Sequence, residues 1–158
     1  MHITIISVGK IKEKYLQEAI KEYSKRLSKY ITLNMIEVKD EKEFKNMSEA
    51  DIKTIQDIET ERILNKLKPS YIITLCIEGN MLSSESLAEK INHIRTYQDS
   101  KLTFIIGGSH GLSETIKQQA NLKLSFSPMT FPHQLMQVIL LEQLFRLMKI
   151  LNNEPYHK

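Results

Sequence analysis

A single cysteine, Cys76, stands in 158 residues, which leaves no partner for a disulfide, a CxxC redox pair or a cysteine-based metal cluster. No apolar run approaches the length of a membrane span. The first such run, at 3–8, is too short for a secretory signal, and Lys10, Lys12 and Lys14 follow it on the wrong side. A reduced, cytoplasmic protein is expected. No internal repeat, low-complexity tract or linker interrupts the chain, so one domain is expected over residues 1–158. The five histidines (2, 93, 110, 133 and 157) lack metal-ligand spacing with one another or with acids, so no metal is expected. There is no GxxxxGK[ST], which excludes a P-loop. Gly107-Gly108-x-x-Gly111 is not GxGxxG, and no acid sits some twenty residues on to hold a ribose. Ser109 within GGSHG superficially resembles a nucleophile elbow and is set aside.

The charge that is present is unevenly placed. Residues 1–39 hold eight Lys and Arg against four Glu, whereas residues 40–66 hold eight acids against five bases. A basic first third suits a polyanion. The same pattern also fits a solvated helix face on which Glu18 and Glu22 alternate with Lys21 and Lys25.

Apolar patterning divides the chain into strands that alternate with helices. Ile3, Ile5, Ile6 and Val8 are nearly continuous, as in a strand covered on both faces. A helix over 12–27 follows, with an apolar stripe of Tyr15, Leu16, Ala19, Ile20, Tyr23 and Leu27. Further strands are predicted at 31–38, at 71–77 (ended by Glu78-Gly79-Asn80), at 102–106 and at 122–126. Ser48, with Asp51 in a capping box, starts a second helix of stripe Ile52, Ile55, Ile58, Ile63, Leu64 and Leu67. Ser83 or Ser84 and Ser113 cap the next two. Alternating strands and helices imply an α/β fold with a mostly parallel five-stranded sheet.

Two features stand out. Strand ends deliver two irregular loops, Gly107-Gly108 and the proline-stiffened SPMTFPHQ at 127–134, and open α/β sheets bind ligands beyond the carboxyl ends of their strands. The last helix, from about His133 to Leu151, is apolar almost all round. A sheet covers one side only, so the other side is expected to meet a second subunit, with Leu144 and Leu147 as candidates for that face. Glu142, Arg146 and Lys149 fall on one stripe, either as an ordinary intrahelical ion pair or as a charged stripe at a subunit seam. Pro155 is expected to fix the helix end, so that Tyr156, His157 and Lys158 project beyond it.

ITIISVGK at the start, FIIGGSHGL, LSFSPMTFPHQL and PYHK together resemble the ribosomal RNA large subunit methyltransferase H family. That family belongs to the SPOUT superfamily of α/β-knot methyltransferases, and the likeness spans the chain in order. The resemblance implies a C-terminal trefoil knot, a homodimer, and S-adenosyl-L-methionine as cosubstrate. It also implies methylation of N3 of a pseudouridine in large-subunit (23S) ribosomal RNA. A chain this small has little surface for reading sequence, so the assembled ribosome, recognised by its shape, is the expected substrate. The cofactor contacts it implies are Leu75, Gly107, Phe126, Ser127, Pro128, Met129, Thr130 and Phe131. Gly107 and Gly108 would let the backbone approach the ribose and methionine moiety with no Cβ in the way, while Pro128 removes one amide donor from the loop.

N3 of a pseudouridine must lose a proton, and His133, Glu142 and His157 are the candidate bases. Arg146 and Lys158 can hold phosphate or a developing oxyanion, and Tyr156 can stack on a base. Two other readings remain open at this stage. One keeps the fold and cofactor with another ribosomal or transfer RNA nucleotide as target. The other is a non-catalytic RNA- or ribosome-binding factor that uses the basic first third.

Overall fold

In the computed structural model, which describes residues 1–157, strand β1 (His2–Val8) buries Ile3, Ile5, Ile6 and Val8 almost completely. Side chains alternate across a strand, so this run needs cover on both faces. It has that cover. Ile3 and Ile5 join a large apolar cluster with Leu27, Ile91, Phe104, Leu140 and Leu144. Ile6 and Val8 join a smaller one with Ile63, Ile105 and Ile116. The first cluster draws on α1 (Lys14–Leu27), α3 (Ser84–Tyr97) and α5 (His133–Leu151), and the second on α2 (Glu49–Leu64) and α4 (Glu114–Gln119).

Strands β2 (Thr32–Val38), β3 (Tyr71–Met81), β4 (Lys101–Ile106) and β5 (Leu122–Ser125) complete a sheet of order β2-β1-β4-β3-β5, parallel throughout. The α/β class, the five strands and the cover on both faces are as the sequence pattern implies. So are the serine caps. Ser48 and Asp51 form the reciprocal capping box, while Ser83 and Ser113 accept from the amides of Ser86 and Ile116.

Four local expectations are corrected. Strand β3 does not stop at Glu78-Gly79-Asn80 but runs on to Met81, shifting register against β5 between Leu75 and Asn80. Gly79 makes the continuation possible, since a Cβ there would sit 2.7 Å from the Leu124 carbonyl carbon. Tyr15, assigned to the apolar stripe of α1, is 68% exposed. Leu144 and Leu147 do not face outward, being 0% and 1% exposed within the single chain. Finally, α5 ends before Pro155. Asn153 adopts φ 53°, its amide donates to Ile150 O, and the Glu154 amide donates to Lys149 O. This is a Schellman ending with asparagine in the left-handed position usually held by glycine.

Helix α5 lies between α1 and α3 on one face of the sheet. None of its residues is fully exposed, although Leu135, Val138 and Ile139 are only half-buried. Because Leu144 fills the middle of that layer, Leu144→Ala should destabilise the protein by about 3 kcal/mol. Ile139→Ala should cost well under half as much. Urea unfolding of both variants checks the assignment of the two positions.

Candidate active site

The carboxyl ends of β3, β4 and β5 enclose a cavity of about 770 Å³. Three segments build it. Leu75 and Cys76 come from β3, Gly107 to Leu112 from the loop after β4, and the stiff loop after β5 closes the third side with the first turn of α5. Of the residues assigned to cofactor contact, Leu75, Gly107, Phe126, Ser127, Met129, Thr130 and Phe131 all line it. Pro128 belongs to the same loop, is exposed and does not line the cavity.

The loop is tightly self-ordered. Ser125 Oγ donates to Ser127 O at 3.2 Å, and the Met129 amide donates to Ser127 Oγ at 3.0 Å. The amides of Ser127, Thr130 and Phe131 donate to no group among the described residues. A rigid wall with free donors, beside the apolar surfaces of Leu124, Phe126 and Met136, suits a flat heteroaromatic ring with acceptors on its edge. The cavity is within the size range of small-ligand sites, so an adenosine-bearing cofactor fits it.

The glycines act differently from the expectation. A Cβ on Gly107 would meet not ligand space but the backbone of Gly111 and Leu112, at 2.6 Å and 2.9 Å. Gly107 is therefore required by the fold of the loop, which closes on itself through the Gly111 amide to Gly108 O at 3.0 Å. GGSHG does have the spacing GxSxG, but Ser109 Oγ has no hydrogen-bonded base among the described residues, so nothing activates it.

Beneath that loop lies a residue the sequence reading missed. Glu59 is 5% exposed, accepts from the Glu41 amide at 3.0 Å, and has both carboxylate oxygens within 3.4 Å of where a Gly108 Cβ would stand. Burial pushes its carboxyl above the ordinary range, Asp40 adds to the rise, and the Glu41 amide, Arg62 and His110 oppose it. The available signal was positional: Glu59 falls four residues from both Ile55 and Ile63, on the buried stripe of α2. His110, Cys76 and Lys117 also line the cavity, and Lys117 is paired with Glu78 and Glu114. Among the described residues, no group of three or more His, Cys, Asp or Glu is placed to hold a metal ion, and no helix is long and apolar enough to cross a membrane.

The candidate reaction residues divide between two places. His133 lines the cavity, its Nε2 being 3.3 Å from the position of a Gly9 Cβ. Glu142, Arg146, Tyr156 and His157 do not line it. They form a second cluster toward the other end of α5. Arg146 lies thirteen residues beyond His133, about 20 Å along a helix axis. Lys158 lies outside the described residues.

The tail does not project, as was expected, but folds back. The turn at Asn153 lays Tyr156 against Phe145, with ring centroids 4.9 Å apart, and places the Arg146 guanidinium 4.8 Å above the Tyr156 ring. Tyr156 Oη donates to Glu142 Oε2 at 2.8 Å, and Arg146 donates to Glu142 Oε1 at 2.6 Å and 3.1 Å. Both oxygens of Glu142 are thus engaged, so in this arrangement it holds Arg146 and Tyr156 in place. Arg146 Nη1 is 3.3 Å from His157 Nδ1. A guanidinium only donates, so Nδ1 accepts, and the ring proton faces Glu85 Oε1 from Nε2 at 2.7 Å. Glu85 is held down at about 2, first by its own amide at the start of α3 and then by His157 and Ser83. Tyr23 on α1 completes the cluster. Burial, and then the Glu142 carboxylate, raise its hydroxyl to about 12.

Three comparisons bear on this arrangement. The family model described as "Predicted SPOUT methyltransferase" matches residues 1–157. The chain belongs to the SPOUT methyltransferase family. A Bacillus pumilus protein named ribosomal RNA large subunit methyltransferase H is 54% identical over 159 residues, covering 100% of both chains. A relative from Methanococcus maripaludis is 58% identical over the same extent. A solved structure of a "probable methylase family protein" from Haemophilus influenzae superposes with a TM-score of 0.56 at 13% identity, covering 99% of this chain and 70% of that one. At that identity, the likeness speaks for the fold alone. The resemblance read from the sequence motifs is therefore upheld at family level.

Two outcomes follow for this SPOUT methyltransferase. A carboxyl whose pKa rises on folding favours the native state when neutral and costs stability once it ionises. Glu59→Gln keeps the acceptor for the Glu41 amide and removes that cost. The variant should therefore be more stable than the parent at about pH 8, with the gain vanishing as the pH falls to about 4. Paired thermal melts at the two pH values check the sign. Tyr156→Ala should lower the melting temperature through loss of the Phe145 contact, whereas Tyr156→Phe should largely retain it, as calorimetry will show.

Proposed function

We propose that the protein transfers a methyl group from S-adenosyl-L-methionine to N3 of a pseudouridine in large-subunit ribosomal RNA, on the assembled ribosome in the cytoplasm. The observation that carries this reading is the cavity at the strand ends. In a chain of the SPOUT methyltransferase family, it is walled by a rigid loop with free amides and by the residues assigned to cofactor contact. The name of the Bacillus pumilus relative, identical at 54% of positions, supports the ribosomal RNA target.

S-adenosyl-L-methionine supplies an electrophilic methyl group when bound there. The chain's own residues orient and bind. The free amides of Ser127, Thr130 and Phe131 read the ring edge, while Leu75, Phe126 and Met129 cover its faces. Holding the acceptor nitrogen at contact distance accounts for much of the acceleration, since effective molarities reach roughly 10⁵ M or more. Proton loss from N3 is assisted by His133 at the cavity or by His157 in the tail. Arg146 neutralises the developing imide oxyanion, Tyr156 stacks on the base, and Lys158 meets phosphate.

Cavity and tail lie too far apart in one chain to act on one nucleotide, so the proposed working form is a homodimer. Pairing through the half-buried stripe of Leu135, Val138 and Ile139, beside exposed Ile77, Met81 and Met129, would bring one chain's tail to its partner's cavity. The trefoil knot implied by the resemblance is part of the same reading. It is supported by β5 crossing beyond β3 and by α5 returning between α1 and α3.

Ribosomal particles from a deletion strain, incubated with the protein and labelled S-adenosyl-L-methionine, should gain one methyl group, located by mass mapping. Label on another nucleotide would move the target, and no label on any RNA would defeat the reading. Thr130 is exposed and lines the cavity, so Thr130→Trp should fill the cavity without unfolding the chain. Its cofactor affinity should fall by at least about tenfold, or roughly 1.4 kcal/mol, by titration calorimetry. In mixed dimers of Thr130→Trp with a chain lacking residues 156–158, partial activity is expected. Complete inactivity would confine the site to one chain.

A further inference from the structure

Helix α1 runs beside α5 in the same direction, from the cavity to the tail. At the cavity end, the Lys12 amide donates to Gln134 Oε1 at 3.2 Å, and Gly9 packs against His133. Further along, the Arg26 guanidinium lies 5.8 Å from the Phe145 ring centroid. Just past its end, Tyr30 Oη donates to Glu154 at 2.8 Å. The helix is about 21 Å long, enough to bridge the two clusters. On its solvent side, Lys14, Lys21 and Lys25, with Lys29 just beyond the end, recur at intervals of seven, four and four. That is a single stripe, opposite buried Leu16 and Leu27. Lys10 and Lys12 extend it to the cavity. None of these six lysines forms a salt bridge among the described residues, whereas neighbouring Arg26 is neutralised by Glu22 at 2.8 Å. Tyr15, beside Lys14 at the cavity end, exposes 68% of its surface.

Unpaired cations at helical spacing, with one bare aromatic ring at their head, are the elements of a single-strand nucleic-acid surface. The cations follow phosphates and the ring stacks on a base. The geometry points to α1 as the track that carries the RNA strand flanking the target nucleotide between cavity and tail, with Tyr15 stacking on a base next to it. The inference rests on the RNA methyltransferase reading above and adds to it the surface that holds the substrate.

The test compares Lys21→Glu/Lys25→Glu and Tyr15→Ala with Lys53→Glu, a charge reversal on α2 across the sheet. Binding of a fluorescein-labelled single-stranded RNA is followed by anisotropy over a salt series, and methylation of deletion-strain ribosomal particles by label incorporation. The double reversal should weaken RNA binding at least about tenfold at low salt and flatten the log–log salt dependence by about 1.4. It should also raise KM for the particles and leave S-adenosyl-L-methionine affinity unchanged. Tyr15→Ala should weaken RNA binding with the salt slope intact. If the double reversal matches Lys53→Glu in affinity and slope while the wild type methylates the particles, the track is overturned and the function stands. If the wild type neither binds the RNA nor methylates the particles, both are overturned.

Discussion

The packing of α5 between α1 and α3 sets the positions of one cavity wall and of the tail cluster. Its first turn, with His133 and Met136, is one wall of the cavity, and Glu142 at its middle and Arg146 one turn on hold the tail. Leu140, Leu141, Leu144 and Leu147 are all essentially buried and fix the helix against the sheet. Polar ties at both ends, Lys12 to Gln134 and Tyr30 to Glu154, prevent it from sliding along α1. A shift of a single turn would move the helix about 5.4 Å, enough to displace the cavity wall and the tail together. The distance between the two clusters is therefore built into the core.

The cavity obeys a second constraint, the close backbone approach of the glycine loop. Gly107 passes within contact of the Gly111 carbonyl, and Gly108 sits over Val8 and Glu59. No side chain fits at Gly107, so the loop is specified by steric exclusion as much as by hydrogen bonding. Glu59 then joins this loop to the acid-rich segment that follows β2. Its carboxylate takes the Glu41 amide, while Arg62 holds Lys39 O and the Glu41 side chain. The acid-rich segment after β2 is thus tied down through α2.

Much of the fold was legible because its signals are local. Strands show as short β-branched runs, and Ser48, Ser83 and Ser113 cap helices through bonds made within three residues. The loops that line the cavity were legible for the same reason, as a glycine doublet and a proline-stiffened segment at strand ends. What escaped was set by neighbours far away in sequence. Tyr15 stands about 100° of helix turn from buried Leu16, at the edge of the inner face of α1, where periodicity does not decide burial. Periodicity likewise cannot say whether an all-apolar helix is covered by its own chain or by another, and Leu144 and Leu147 proved to be core. Glu59 hid among isoleucines because a buried acid is improbable until its amide partner at Glu41 is seen. The tail was misread at one residue. Asn153 in the left-handed region reverses the chain, whereas Pro155 was expected to end the helix and leave the remainder extended.

The strand order carries a consequence for how the chain is made. Strand β1 leaves the ribosome before the other four strands, and it lies between β2 and β4 in the finished sheet. One of its edges is satisfied early, by β2. The other waits until residues 101–106 have been synthesised, and the α5 residues that cover Ile3 and Ile5 come later still. At about 5–20 residues per second the wait lasts several seconds, long compared with hydrophobic collapse. An open, apolar strand edge on a nascent chain is a template for wrong pairing. The interval before β4 is therefore the stage of synthesis at which this chain is most exposed to wrong pairing, however stable the finished fold.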